Sequence, residues 1–105
     1  MIDTKPEQLL EVREILEEHV PGWEVRAFGS RVTGRAKPWS DLDLAIVGPE
    51  PMGLRRWGRL IEAFQESTLP FRVDVLDWHN VSPSFQAIID QEYAVVQTGQ
   101  TAGVA

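Results

Sequence analysis

Two aspartates that stand two positions apart carry the clearest chemical signal in this sequence. Asp41 and Asp43 flank Leu42, and the run continues into Leu44 and Ile46. Side chains alternate along a strand, so a strand here would place both carboxylates on one face and the apolar side chains on the other. Two carboxylates held this close repel each other unless a cation lies between them or one is protonated. The pair therefore predicts a divalent cation, Mg²⁺ or Mn²⁺, because its ligands are hard oxygens.

A third carboxylate, that of Asp74, stands between Val73 and Val75. A charged side chain there would be costly if it pointed into a core, so we expect it on the acidic face of a neighbouring strand. Three carboxylates could bind two metal ions roughly 4 Å apart, one at an attacking oxygen and one at a triphosphate. Asp77 is the alternative ligand, but its odd offset from Asp74 turns it to the opposite face of a regular strand. The predicted catalytic and metal-binding residues are Asp41, Asp43 and Asp74.

A glycine-serine pair precedes the first two aspartates, with ten residues between. Gly29 would let the backbone approach a phosphate, Ser30 would add a hydroxyl donor, and the N–H groups of the following turn could bind an anion. Arginines in the same segment add positive charge. Cations and donors that hold a triphosphate beside metal ions are what phosphoryl or nucleotidyl transfer requires. The predicted nucleotide-binding residues are Gly29, Ser30, Arg31, Arg35 and Ser40.

Three long helices are predicted around these residues. The first is expected to start with Thr4 as its N-cap and to stop at Pro21. The second follows apolar residues at helical spacing over 54–64, with Trp57 expected in the core. Ser82 and the proline after it begin the last helix, which continues to about residue 90.

Strands are predicted at 23–28, 42–47 and 71–76, with a short terminal strand at 93–96. The alternation of helices and strands indicates an α/β fold of the α+β type. Its mixed sheet would have three to five strands and be covered by helices.

The size and composition of the chain limit its functions. Its 105 residues suit one domain, predicted at 1–98, with a flexible tail at 99–105. The net charge of −6 argues against direct nucleic-acid binding, and the absence of cysteine excludes disulfides and thiolate metal sites. No apolar run is long enough for a signal peptide or a membrane span, so we expect a cytoplasmic protein without a membrane partner.

Each motif alone is common, but their order is far more specific. Residues 29–35 (GSRVTGR) and 40–46 (SDLDLAI) closely resemble the signature of the DNA polymerase beta-type nucleotidyltransferases. The element order extends the resemblance over nearly the whole chain, and the short length resembles the stand-alone MNT branch. The resemblance implies that Gly29 and Ser30 hold a triphosphate and that Asp41 and Asp43 bind both metal ions. It also implies that Asp74 supports the metal that activates an acceptor hydroxyl.

The resemblance further implies a function. MNT proteins are paired with HEPN-domain toxins and act as antitoxins that transfer AMP from ATP to a tyrosine of that partner. Two alternatives stay open at this point. One is a non-catalytic module that neutralises its partner by covering it. The other is a small-molecule nucleotidyltransferase of the antibiotic-modifying kind, which usually carries an additional domain.

Two further features allow more than one interpretation. Trp39 could stack on the nucleotide base, although packing of its loop against the body of the protein is the favoured account. Arg55, Arg56 and Arg59 cluster on one side of the central helix. A solvated face is the default for them, and docking of an acidic partner or an RNA is the alternative.

Overall fold

Within residues 2–99, which the computed structural model describes, helices and strands alternate along the chain. A short 3-10 helix, Trp78–Asn80, follows the third strand. Of the predicted tail at 99–105, only Gly99 lies within the described residues. The main elements are α1 (Pro6–His19), β1 (Glu24–Phe28), α2 (Ser30–Thr33), β2 (Leu42–Val47), α3 (Leu54–Gln65), β3 (Val73–Asp77), α4 (Pro83–Gln91) and β4 (Ala94–Gln97).

The four strands form one mixed sheet in the order β3-β2-β1-β4. β1 is antiparallel to both β2 and β4, whereas β2 and β3 are parallel. Parallel neighbours need a crossover connection, and α3 supplies it between β2 and β3. The prediction of a mixed sheet covered by helices is therefore confirmed.

One face of the sheet packs against α1 and α3 and forms the hydrophobic core. Alternation along β1 and β2 sends every second side chain into this layer. The opposite face is covered in part by α4 and the 3-10 helix, where Phe28 meets Phe85 edge to face. The fully buried core side chains are Val12, Leu16, Val20, Val25, Ala27, Leu42, Leu44, Ile46 and Leu60.

The predicted strands agree with the structure within one or two residues at their ends. β2 begins and ends where it was predicted, whereas β3 spans Val73–Asp77 instead of 71–76. Ser82 caps α4 as predicted, because its Oγ accepts the Phe85 N–H at 3.3 Å. Among the described residues, no helix combines the length and the apolar character needed to cross a membrane.

Two sequence predictions about α1 and α3 are wrong. The N-cap of α1 is Lys5, whose N–H donates to Gln8 Oε1 at 2.9 Å, while the Thr4 hydroxyl is buried without a partner among residues 2–99. Trp57 is 39% exposed instead of lying in the core. Its indole Nε1 donates to Val75 O at 3.4 Å, so the ring lies over the free edge of β3. Leu60 and Phe64 fill the core from α3 in its place.

Candidate active site

Two acidic residues lie side by side on neighbouring strands of the sheet. Asp43 of β2 is the direct partner of Asp74 in the parallel β2–β3 pair. Paired residues in neighbouring strands point to the same face, and such strands are about 4.8 Å apart. Leu42 and Leu44, which flank Asp43, are fully buried on the other face. Both carboxylates therefore lie on the face that is turned away from α1 and α3.

Asp41 adds a third carboxylate immediately before β2. Its Oδ2 lies 3.5 Å from Nε of Arg72, a side chain that is mostly exposed to solvent. The backbone joins the same two segments, because Leu42 N–H donates to Arg72 O at 2.9 Å. The first residue of β2 is thus hydrogen-bonded to the residue that precedes β3, next to the carboxylates.

The electrostatics of the site centre on Asp43. Burial, and after it the negative charges of Asp74 and Asp41, together raise the pKa of this half-buried carboxyl to about 6. The positive charge of Arg72 opposes this shift of the pKa of Asp43. Three carboxylates thus concentrate more negative charge than one exposed arginine offsets.

This donor set fits a hard divalent cation. All of its ligands would be carboxylate oxygens, which Mg²⁺ and Mn²⁺ prefer. Within residues 2–99, the acidic side chains do not already close a cage of three or more ligands around one point. Mg²⁺ commonly binds through one or two carboxylates and completes its shell with waters and substrate phosphates, so metal binding by this cluster stays a prediction.

The glycine-serine turn lies directly against this cluster. Gly29 is the N-cap of α2 with a φ of 81°, and a β-carbon built on it would overlap the Asp43 carboxylate. Gly34, with a φ of 84°, ends the same short helix in the left-handed conformation. Because the first N–H groups of a helix have no partner within it, the turn at Ser30 presents donors beside the acidic strand.

The structure corrects the prediction that Arg31 binds the nucleotide. Its side chain is buried, and its guanidinium donates to three backbone carbonyl groups instead of facing the carboxylates. Arg35 is exposed on the loop after α2. Its contact with the triphosphate stays a prediction. The contact of Ser40 with the nucleotide also stays a prediction, and its Oγ accepts the Lys37 N–H at 2.9 Å within the same loop.

The structure also places Asp77 and Trp39. The Asp77 carboxylate accepts the N–H groups of Met52 at 2.8 Å and His79 at 3.1 Å, so it caps two turns at the far end of β3. Trp39 is 73% exposed, while its loop is held against the body of the protein because Pro38 O and Ser40 O accept hydrogen bonds from Arg31. Packing of the loop is thus observed, and stacking of the exposed ring on a nucleotide base stays a prediction.

Sequence reasoning missed two aromatic side chains beside the carboxylates, those of Phe28 and Phe85. Phe28 is the direct partner of Asp43 in the antiparallel β1–β2 pair. Its ring meets that of Phe85 edge to face with centroids 6.0 Å apart. Strand alternation from the buried Val25 and Ala27 places Phe28 on the acidic face, and this signal was available in the sequence.

Comparisons with known proteins identify the family to which this sequence is similar. A model of the nucleotidyltransferase domain family matches residues 9–97. The probable protein adenylyltransferase MntA of Haemophilus influenzae is 52% identical over 96 residues, which are 91% of this chain and 84% of that protein.

Solved structures show the same fold. A toxin-antitoxin structure with AMP-PNP superposes with a TM-score of 0.73 at 19% identity, covering 88% of this chain and 74% of that one. A tri-AMPylated Shewanella oneidensis HEPN toxin in complex with MNT antitoxin gives a TM-score of 0.67 at 17% identity, with 90% and 72% of the two chains covered.

Proposed function

The chain belongs to the nucleotidyltransferase domain family, and on that premise we propose that it transfers AMP from ATP to a hydroxyl group of a partner protein. The observation that carries this proposal is the pairing of Asp43 with Asp74 on one face, with the Gly29 turn against Asp43. A triphosphate needs donors next to a cation site, and these residues supply both within one small surface.

Each residue has a proposed part in the reaction. Gly29 and Ser30 bind the triphosphate through N–H groups and a hydroxyl. Asp41, Asp43 and Asp74 would hold Mg²⁺ or Mn²⁺, and the bound ion would neutralise the charge that develops on the phosphate oxygens.

The acceptor oxygen attacks the α-phosphorus of ATP. The bond from that phosphorus to the bridging oxygen breaks, pyrophosphate leaves, and the hydroxyl proton is lost to solvent. Asp74 is exposed and belongs to an edge strand, and we assign it to orienting the incoming hydroxyl. For in-line attack, the acceptor hydroxyl must be held on the side of the carboxylate cluster where Asp74 lies.

The proposed partner is a HEPN-domain toxin, with a tyrosine as acceptor and inhibition of the toxin as outcome. The similar protein of Haemophilus influenzae is a probable protein adenylyltransferase, and one structure of the same fold contains an AMPylated HEPN toxin. The carboxylates lie on an open face, so a second macromolecule is suited to complete the acceptor side. We place the reaction in the cytoplasm, where ATP is supplied.

The test uses radiolabelled ATP, Mg²⁺ and a HEPN-domain protein encoded beside this chain. We expect label on that protein, and we expect Asp41→Ala with Asp43→Ala to abolish it. Asp90→Ala is the matched control, because Asp90 bonds Arg26 from α4 and stands outside the cluster. Transfer that survives the double substitution would refute the assigned site. Toxin inhibition that persists without ATP and metal would instead favour the non-catalytic binding module.

A further inference from the structure

Arg31 is a buried cation, with 5% of its surface exposed. Its Nε donates to Ser40 O at 2.9 Å, Nη1 to Asp3 O at 2.7 Å and Nη2 to Pro38 O at 3.0 Å. The planar guanidinium thus binds three carbonyl groups in different directions at once. A flexible lysine side chain has a single nitrogen and cannot reproduce this fork.

Two of the three carbonyl groups belong to the loop that leads into the site, and the third, Asp3 O, belongs to the segment before α1. Ser40 directly precedes Asp41, and Pro38 lies in the same loop. The backbone of Arg31 takes part as well, since its O accepts the Asp3 N–H at 2.7 Å. Arg31 itself is the second residue of α2, directly after Ser30. One side chain therefore joins the proposed triphosphate turn to the loop that carries the first carboxylate.

The guanidinium also reaches the other acidic strand. Its Cζ lies 4.3 Å from the centroid of the Phe71 ring. Phe71 is buried and precedes Arg72, whose O accepts the Leu42 N–H where β2 and β3 begin. Arg31 thus contacts the segments that lead into both strands of the carboxylate cluster.

No carboxylate lies within ion-pair distance of Arg31 in the part of the chain that the structure describes. Burying a charge without an opposite charge is costly, and an apolar side chain of similar size is often as stable or more stable in such a place. Stability alone is therefore a poor reason for an arginine here. The directional bonds to the site loops give a better one.

We propose that Arg31 is a positioning residue for nucleotidyl transfer, which holds Ser30 and Asp41 at the separation that a metal-bound triphosphate requires. This inference rests on the proposed function, because it concerns the same site. Arg31 touches no substrate in this account and acts through the two residues it joins.

The test compares Arg31→Lys with Arg13→Met. Arg13 also donates to a carbonyl group, Val96 O at 3.1 Å, but it does so from α1 to β4. Mn²⁺ affinity in the presence of a nonhydrolysable ATP analogue is measured by electron paramagnetic resonance, together with kcat and KM for AMP transfer and the thermal midpoint. For Arg31→Lys we expect Mn²⁺ affinity to fall about tenfold. We expect kcat to fall roughly 100-fold, with KM for ATP changed much less.

The outcomes separate the two proposals. Arg13→Met should shift the thermal midpoint while leaving Mn²⁺ affinity and kcat at wild-type values. If Arg31→Lys behaves like Arg13→Met, the positioning role is refuted. If the wild-type protein transfers no AMP, the proposed function fails, and the Mn²⁺ measurement still tests Arg31 by itself.

A second variant covers the case in which Arg31→Lys does not fold. Phe71→Leu removes the ring beneath the guanidinium but keeps an apolar side chain of similar size. We expect Mn²⁺ affinity and kcat to fall, but by less than in Arg31→Lys, because the guanidinium keeps its carbonyl partners. A folded Phe71→Leu protein with wild-type Mn²⁺ affinity and kcat would overturn the proposal.

Discussion

Gly29 lies so close to Asp43 that any β-carbon on the glycine would overlap Oδ2 of the carboxylate. Gly29 also has a φ of 81°, which L side chains rarely adopt. Both the backbone and the available space therefore require glycine. This contact sets how near the Ser30 turn can come to the acidic strand.

Gly29→Ala should damage the site more than the fold. Gly29 combines its positive φ with a ψ of −158°, and alanine in that region costs about 1–3 kcal/mol, which a folded domain usually survives. The overlap must also be relieved by moving the carboxylate or the turn, and a misplacement of about 1 Å can cost roughly 100-fold in rate. We expect a loss of kcat for AMP transfer of that order, measured together with thermal unfolding.

Gly34→Ala is the matched control for this prediction. Gly34 has a φ of 84°, but a β-carbon there would meet nothing within 4 Å. Gly34 is in the left-handed α conformation, which costs an alanine roughly 1–2 kcal/mol, so the variant should lose about that much stability and keep most of its transfer activity. Equal losses of activity in the two variants would mean that backbone strain, and not the contact with Asp43, accounts for the effect.

Asp43→Asn should stabilise the metal-free protein at neutral pH. The pKa of Asp43 is raised to about 6, mainly by burial and then by Asp74 and Asp41. The folded state therefore binds a proton more tightly than the unfolded state. The contribution of this group to stability is complete below about pH 4 and is lost as the pH rises through about 6.

The ionised carboxylate thus destabilises the fold above pH 6, and asparagine removes that charge. After discounting for solvent screening of a half-buried group, we expect a gain of about 1 kcal/mol at pH 8, or roughly 4–8 °C in the thermal midpoint. Unfolding is measured in the presence of EDTA from pH 4 to 8. A gain that does not shrink toward pH 4 would contradict the electrostatic cause, and Glu62→Gln, on the exposed face of α3, serves as control.

Strand periodicity was enough to predict the acidic face. Asp43 and Asp74 lie on the same face because each stands between apolar residues that pack toward the core. The same argument correctly set Asp77 aside, and its carboxylate caps the Met52 and His79 N–H groups instead. Local patterns predict such features because the two-residue period is set by the backbone itself.

The roles of Arg31 and Trp57 could not be predicted in this way. Arg31 is buried because Asp3, Pro38 and Phe71 come together around it, and these residues are distant in the sequence. Trp57 has the helical spacing that is typical of a core residue, yet its indole ring lies at the outer edge of β3, where Nε1 donates to Val75 O. Tertiary contacts decide both cases, and composition and periodicity do not encode them.

Arg72→Gln should strengthen binding of a divalent cation to the free protein. Arg72 Nε lies 3.5 Å from Asp41 Oδ2, where it competes with a metal ion for the carboxylate. An exposed ion pair is worth about 1 kcal/mol at most, so Mn²⁺ affinity should rise by up to about fivefold. Titration of Mn²⁺ without nucleotide measures this change. Arg55→Gln on α3 should leave the affinity unaltered, and a fall for Arg72→Gln would show that the arginine supports the metal site.

Trp39→Ala should weaken ATP binding without affecting the fold. The side chain is 73% exposed on the loop that leads to Asp41, and Lys37 Nζ lies 5.9 Å from the ring centroid. An exposed residue contributes little to stability, so the thermal midpoint should stay near that of the wild type. Stacking of a base on an aromatic ring is worth roughly 1–3 kcal/mol, which predicts a rise in KM for ATP of at least about fivefold.

Trp39→Phe distinguishes stacking from a general effect of the loop. Phenylalanine keeps a ring that can stack on the base, so its KM for ATP should lie between those of the wild type and Trp39→Ala. The indole fluorescence of Trp39 provides a direct readout, because a stacked base should quench it when ATP is added to the wild type and not to Trp39→Ala. Identical KM values and identical quenching in all three proteins would mean that the exposed ring does not contact the nucleotide, and another role would be needed for it.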